Sequence, residues 1–297
     1  MYPAAINGMN CKRGFMKKVS FRLAVLLSAI AFTAAACGSS AATSTSSPAS
    51  TPHPTPTMMM MHLPAYAQSM KMLITSPTSG TKVTDNSVTL TVQVSGYTST
   101  CALAGKADQA GTGHYHILLD KALVNMFCQP SATISLQNVA PGMHTLTAVP
   151  ALNDHTEVEE NGNSITIDYE PTHPLPTITG ASFAGVPAIT ILSPKNGTVV
   201  SGTFDVVVKV TNYDLSCNLM GKPDVSRYGH WHLNLDSMSG PMMGMGTMLG
   251  MSCTTSFQAT TQGLQPGQTH TLIALLTDDG HAPLNPPVAS EVTVMIG

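Results

Sequence analysis

The strongest constraint on this chain is an internal repeat, in which residues 69–170 and 188–297 follow one pattern. The clearest match joins residues 113–120, GHYHILLD, to residues 229–236, GHWHLNLD. In each copy a cysteine precedes this segment at the same distance, and a His-Thr-Leu segment follows it. A register kept over about a hundred residues predicts two homologous domains, too large and too few for a solenoid.

Each copy is predicted to be an all-β domain. Short segments rich in β-branched residues alternate with Gly and Pro turns, as in residues 87–94, 131–136, 145–149, 164–169 and 204–210. About seven such strands in roughly a hundred residues are typical of an immunoglobulin-like antiparallel β-sandwich.

The motif strand of the second copy shows how such a strand would sit in its sheet. Apolar and polar residues alternate through residues 230–236, with Trp231 on the apolar face. We therefore expect Trp231 in the core and the histidine face towards solvent.

The N-terminal segment is predicted to direct export. Residues 1–36 combine basic residues with an apolar run too short to span a bilayer, and we expect translation to start at Met16, with residues 1–15 an extension. The run ends in small residues before Cys37, which resembles the lipobox of bacterial lipoproteins, where this cysteine carries the lipid. The alternative is ordinary signal-peptide cleavage with Cys37 unmodified.

The segment after Cys37 is predicted to be a tether. Residues 37–68 are rich in Ser, Thr, Pro and Ala, have little to bury, and should stay extended. Residues 171–187 are similar in composition and should link the two copies. The chain would then be lipid-anchored in the cell envelope, on the extracytoplasmic face of the membrane.

Four cysteines in the two copies are available for disulfides, which form outside the cytoplasm. Three pairings of Cys101, Cys128, Cys217 and Cys253 are conceivable. Because each copy has two of them, the repeat selects Cys101–Cys128 and Cys217–Cys253.

Composition and motifs exclude several functions. Charged residues make up 10% of the chain and the net charge is −3, which predicts no nucleic-acid partner. The sequence contains no Gly-x-Ser-x-Gly elbow, phosphate-binding loop, dinucleotide fingerprint or His-Glu-x-x-His helix. We therefore predict that the protein is not an enzyme.

Histidines that recur in both copies are candidate metal ligands. A His-x-His pair on a strand places both imidazoles on one face, about 7 Å apart along the backbone, within reach of one zinc or copper ion. The candidates are His114, His116, His144 and His155 in the first copy and His230, His232, His270 and His281 in the second. Asp120 and Asp236 would ligate the metal or orient an imidazole. The alternative is that these groups only hydrogen-bond across strands.

Methionine-rich segments suggest a soft metal. The chain has 19 methionines, and five of them crowd one loop of the second copy: Met242, Met243, Met245, Met248 and Met251. Thioether sulfur is a ligand for Cu(I), which makes this loop a candidate copper site. The alternative is a flexible loop that packs adaptably on the sheet.

The second copy resembles the family catalogued as domain of unknown function 4399. The resemblance lies in the Gly-His-x-His-x-x-x-Asp strand at 229–236, the His-Thr-Leu segment at 270–272, and residues 281–291 with His-x-Pro and Pro-Pro-Val-x-Ser-Glu. The first copy keeps the histidines and lacks the Pro-Pro-Val ending. The resemblance implies export and a small β domain, and it implies no activity.

Two functional hypotheses follow from the sequence. The first is a lipid-anchored, non-catalytic surface module that binds an unidentified protein partner. The second is an extracytoplasmic copper- or zinc-binding protein that uses the His-x-His strands and the methionine loop. A hydrogen-bonded histidine set would favour the first, and imidazole nitrogens converging on an open point would favour the second.

Overall fold

A computed structural model describes residues 63–297 of the chain. The predicted signal peptide, Cys37 and the tether as far as residue 62 lie outside the described residues. The described part begins in a short 3-10 helix, Ala65–Ser69, whose Ala67 packs with Met70, Leu152 and Val158. Residues 65–68, predicted to belong to the tether, are therefore part of this helix. No helix among residues 63–297 is long and apolar enough to cross a membrane.

The first repeat is a sandwich of two sheets. Its strands are β1 (Lys71–Ser76), β2 (Thr81–Val83), β3 (Ser87–Ser95), β4 (Thr98–Ser99), β5 (Thr112–Leu119), β6 (Ala122–Phe127), β7 (Ser131–Ser135), β8 (Gly142–Ala151) and β9 (Asn163–Tyr169), with a 3-10 helix at Glu159–Asn161. The small sheet has the order β1-β3-β7, and the large sheet has the order β2-β9-β8-β5-β4 with β6 paired to β5.

The second repeat has the same topology, element for element. Its strands are β10 (Ala188–Ser193), β11 (Thr198–Val200), β12 (Thr203–Thr211), β13 (Asp214–Leu215), β14 (Tyr228–Leu235), β15 (Met248–Ser252), β16 (Ser256–Thr260), β17 (Thr269–Thr277) and β18 (Ala289–Ile296), with 3-10 helices at Pro241–Met243 and Met245–Thr247. The sheets are β10-β12-β16 and β11-β18-β17-β14-β13, with β15 paired to β14. The predicted fold class, tandem immunoglobulin-like sandwiches, is confirmed.

Each core lies between the two sheets of its sandwich. Trp231 on β14 is fully buried there, as predicted, and its indole Nε1 donates to the Thr254 carbonyl at 2.7 Å. Tyr115 occupies the equivalent place on β5 and donates to the Gln129 carbonyl at 2.6 Å. Each large aromatic residue thus fills a core while its polar atom stays paired.

The disulfides join Cys101 to Cys128 and Cys217 to Cys253, with Cα–Cα distances of 5.5 and 5.0 Å. This is the pairing that the repeat selected. Each bridge joins the loop that precedes the His-x-His strand to the end of the strand that pairs with it, β6 or β15. The disulfide therefore holds this loop against the paired strand.

The predicted exposure of the histidine face is wrong. His230, His232 and Asn234 on β14 are at most 2% exposed, although their neighbours Trp231 and Leu233 already fill the core on the other side. The reason is that the first sandwich covers this face. The repeats meet where β6 and β15 of the two large sheets contact each other and the turns of His155 and His281. A strand that would be half-buried in one domain is therefore buried on both faces.

The connection between the sandwiches, residues 170–187, contains no strand and is held by hydrogen bonds to both repeats. Asn138 holds it by a reciprocal pair of hydrogen bonds with the backbone of Ile178, at 2.8 and 3.0 Å. Ala181 then donates to the Ser226 carbonyl at 3.1 Å. The connection is therefore anchored to both repeats.

Candidate metal centres

Two clusters of three buried histidines lie where the sandwiches meet. Each has two histidines from the motif strand and one from the turn after the next strand of the large sheet. The clusters are His114, His116 and His155 in the first sandwich, and His230, His232 and His281 in the second.

The motif strand is pressed closely against its neighbour beside the clusters. A Cβ atom on Gly113 would overlap the Ala151 carbonyl, and one on Gly229 would overlap the Thr277 carbonyl. The glycine that opens each motif thus permits the approach of β8 or β17, which brings the third histidine near.

The third histidine of each cluster stands in a tight turn. His155 and His281 have φ values of 67° and 69°, in the left-handed region that residues other than glycine adopt rarely. Each donates its backbone N–H to a carbonyl three residues earlier, that of Leu152 at 3.0 Å or Asp278 at 3.2 Å. The turn points the imidazole back at the two histidines on the strand.

The ring nitrogens in each cluster form a small triangle. In the first, His114 Nε2 lies 3.1 Å from His116 Nε2 and 3.0 Å from His155 Nδ1, and the third side measures 3.4 Å. In the second cluster the corresponding sides are 3.0, 2.9 and 3.5 Å. Three nitrogens bound tetrahedrally to one ion at 2.0–2.1 Å stand about 3.4 Å apart, so both triangles match a metal's ligand set.

Hydrogen bonds on the far side of the rings determine which nitrogens carry protons. His155 Nε2 donates to the Met248 carbonyl at 2.7 Å, and His116 Nδ1 donates to Glu157 Oε1 at 2.6 Å. With both rings in the neutral form, each has one N–H, so the nitrogens of these two rings that face the cluster have lone pairs. A single proton on His114 Nε2 cannot be donated to both of these nitrogens, and the 3.4 Å side, from His116 Nε2 to His155 Nδ1, then joins two acceptors. A cation at the centre would satisfy all three nitrogens.

Burial keeps five of the six imidazoles neutral. It lowers the pKa of His155 to about 3 and that of His281 to about 4, with the neighbouring histidines adding to the effect. The pKa values of His114, His230 and His232 lie well below the usual range for the same two reasons. Neutral imidazole is the form that binds metal, so these five ligands need no deprotonation near neutral pH.

Each sandwich completes the other's cluster. His155 of the first donates to the Met248 carbonyl of the second, and His281 of the second donates to the Leu123 carbonyl of the first at 2.8 Å. Such a hydrogen bond on the far ring nitrogen orients a metal-binding histidine. The two contacts are reciprocal, so the docking of the sandwiches positions one ligand in each cluster.

The clusters differ at one place. Glu157 accepts from His116 in the first sandwich, and the residue at the same bridge position in the second is Pro283, which has no carboxylate. The carboxylate makes the first ligand set more basic and adds a negative charge beside it.

Four predicted site residues lie elsewhere. His144 and His270 donate from Nδ1 to Asp120 and Asp236, at 2.6 Å in both cases. His144 stands at the other end of β8 from the cluster. At about 3.3 Å per residue along a strand, it lies about 20 Å from the cluster. The structure therefore removes these two histidines from the ligand sets, and the two aspartates orient them rather than the clusters.

The methionine loop is divided by the structure. Met242, Met243 and Met245 lie in the 3-10 turns and are partly exposed. Met248 and Met251 are on β15, where they pack with Met220 and, from the first sandwich, Met126. Only the buried part of the loop is therefore near the histidines.

Sequence reasoning missed Glu157, Met126 and the buried Lys106. The Lys106 ammonium donates to the Thr260 and Gln262 carbonyls of the second sandwich, both at 2.7 Å. A Gly-Lys pair follows Cys-x-Leu in both repeats, at residues 105–106 and 221–222, and this recurrence was the available signal. Glu157 carried no such signal because the second repeat lacks it.

Comparison with known proteins gives structural matches alone. No protein-family model and no curated protein matches the chain. Among solved structures, the fibronectin(III)-like modules of CbhA from Clostridium thermocellum match with a TM-score of 0.25 and 14% identity, over 76% of this chain and 94% of that one. A Dscam structure matches with a TM-score of 0.21 and 8% identity, over 77% of this chain and 46% of that one. An endo-β-1,4-mannanase from Thermotoga petrophila matches with 0.23 and 13%, over 39% and 21%.

Proposed function

We propose that this protein is an exported, non-catalytic metal-binding protein with two three-histidine centres for copper or zinc. The observation that carries the proposal is the pair of nitrogen triangles, with sides of 2.9–3.5 Å, in both sandwiches. Three neutral imidazoles with a free fourth position form a ligand set suited to either metal.

The proton positions favour a metal over a hydrogen-bonded scaffold. A scaffold cluster would pair each acceptor with a donor, whereas in neutral rings His116 Nε2 and His155 Nδ1 face each other as acceptors at 3.4 Å. Nδ1 of His114 and of His230 is buried without a hydrogen-bond partner among the described residues. Whether or not this nitrogen carries the proton, it forms no hydrogen bond that would stabilise the ring as scaffold. Three converging lone pairs in a buried place are costly unless a cation binds them.

Export and lipid attachment at Cys37 remain part of the proposal. The two disulfides support an oxidising compartment, where such bonds persist. In that compartment the centres would bind metal on the outer side of the membrane that anchors the chain. The alternative of a surface module for a protein partner stays a prediction from the sequence.

The test is metal titration of the untagged, full-length chain with Zn(II) and Cu(I) against chromophoric chelators. We expect two tight equivalents in the wild type, one in His116→Ala or His232→Ala, and none in the double variant. The matched control is His144→Ala/His270→Ala, which leaves both triangles intact and should still bind two equivalents of metal.

The far-ultraviolet circular dichroism of each variant checks that the β fold persists. A wild-type chain that binds neither metal at micromolar concentration would refute the proposal and reduce the histidines to scaffold. Equal loss in the His144→Ala/His270→Ala control would also refute it, because those residues do not touch the triangles.

A further inference from the structure

A cleft of about 330 Å³ opens between the two sandwiches. Its wall includes Met126 from the first sandwich and Met251 from the second. Behind them, Met220 and Met248 are almost fully buried, and the four methionines pack as one group across the interface. Thioether sulfur is thus concentrated at a cleft that borders both sandwiches.

The strand register ties these methionines to the clusters. Met126 on β6 stands directly opposite His116 on β5, and Met251 on β15 stands directly opposite His232 on β14. Directly paired residues of antiparallel strands point to the same sheet face, with Cβ atoms about 4.5–5.5 Å apart. Each methionine therefore shares the face, and the immediate neighbourhood, of the second strand histidine of its triangle.

The arrangement occurs twice. Met126 and Met251 lie two residues before Cys128 and Cys253, so they are the same position of the repeat. Met220 and Met248 have no methionine counterpart in the first sandwich, where Ala104 and Leu123 stand. Met126 and Met251 therefore recur in both copies, as the cluster histidines do, whereas Met220 and Met248 occur in the second copy alone.

We propose that Met126 and Met251 are thioether ligands that make the two centres select Cu(I) over Zn(II). This inference rests on the proposed function for the histidines and names the metal. A neutral thioether is a soft donor that suits Cu(I), whereas Zn(II) in a nitrogen set gains little from it. Each centre would then have three imidazole nitrogens and one sulfur, with the cleft as the approach for the ion.

The competing explanation is that flexible methionines fill an uneven interface. Leucine distinguishes the two, because it conserves volume and hydrophobicity and removes only the sulfur. The test therefore measures Cu(I) and Zn(II) affinity of the full-length chain and of Met126→Leu/Met251→Leu by chelator competition. The matched control is Met143→Leu/Met295→Leu, at two methionines that are exposed on β8 and β18.

We expect Cu(I) affinity to fall at least tenfold in Met126→Leu/Met251→Leu, with Zn(II) affinity unchanged and the control equal to wild type. Copper-edge X-ray absorption should show a sulfur neighbour in the wild type and its loss in this variant. Unchanged Cu(I) affinity, or equal weakening of both metals, would overturn the inference and leave the methionines as packing residues.

The two proposals fail in distinguishable ways. If the methionine variant keeps wild-type Cu(I) affinity while His116→Ala/His232→Ala loses both metals, the histidine centres stand and the thioether ligands do not. If the histidine variant keeps wild-type binding of both metals, the proposed histidine centres fail, whatever the methionine variant does.

Discussion

Replacing Gly105 with alanine should damage the first metal centre without touching any ligand. Gly105 has φ +70°, and an added Cβ would lie 2.5 Å from the Met248 carbonyl oxygen. That oxygen is the acceptor for His155 Nε2 at 2.7 Å. Ordinary contact begins near 3.4 Å, so the carbonyl must retreat by about 0.9 Å, which is 3.4 minus 2.5 Å, and the hydrogen bond that orients the ligand must change.

Two effects set the size of the loss. Alanine in the left-handed region costs about 1–2 kcal/mol of folding free energy, and overlap in a packed interface adds about 1–3 kcal/mol. Losing the partner that orients a ligating histidine typically weakens metal affinity about 10–100-fold. We therefore expect Gly105→Ala to lower the free energy of unfolding by about 2–5 kcal/mol and the first centre's affinity by at least tenfold.

Gly80→Ala is the matched control. Gly80 has φ +81° and nothing within 4 Å of an added Cβ, so it carries the conformational cost alone. Denaturant unfolding of the apo proteins and Zn(II) titration of each variant measure both quantities. Gly221→Ala should transfer the effect to the second centre, since its Cβ would lie 2.5 Å from the Leu123 carbonyl that accepts from His281. If Gly105→Ala and Gly80→Ala bind metal equally well, the reasoning about interface and ligand orientation is refuted.

Three further changes test other parts of the structure. Glu157→Gln should weaken only the first centre, by about 10–100-fold, because His116 loses a charged acceptor; equal weakening of both centres in a stoichiometric titration would contradict this. Replacing Cys101 and Cys128 by serine opens a loop with a separation of 27 residues and should cost about 3–4 kcal/mol, seen as a lower denaturant midpoint; an unchanged midpoint would contradict it. Lys106→Met leaves two carbonyls of the second sandwich without their buried donor and should lower the free energy of unfolding by about 2–3 kcal/mol. A variant more stable than the wild type would show that burying the ammonium destabilises the contact between the sandwiches.

The fold and the disulfides could be predicted because both depend on local or repeated signals. Alternation with period two fixes which residues of a strand share a face, as Trp231 and Leu233 show. Duplication turns an ambiguous set of four cysteines into one pairing, since each copy must be able to close its own bridge.

The ligand sets could be predicted only in part. The His-x-His pairs followed from strand geometry, but the third ligand depends on which turn returns to the strand. His144 and His155 were equally good candidates by composition, and only the pairing of β5 with β8 separates them. His116 pairs with Val149 and His114 with Ala151, which brings the end of β8, and with it His155, to the cluster. Register of this kind is a long-range property that residue patterns within one strand do not contain.

The error about the exposed histidine face has a single physical origin. A polar strand face predicts solvent in one isolated sandwich, but two copies in one chain can cover each other's polar faces. The cost of burying polar groups here is offset where they find partners in the other copy, as the turn histidines His155 and His281 do at the Met248 and Leu123 carbonyls. Because each sandwich holds a carbonyl that orients the other's ligand, metal binding at either centre and docking of the sandwiches are linked equilibria. The coupling is reciprocal: docking strengthens metal binding at a centre by the same free energy by which metal at that centre strengthens docking, which makes the interface part of both metal centres.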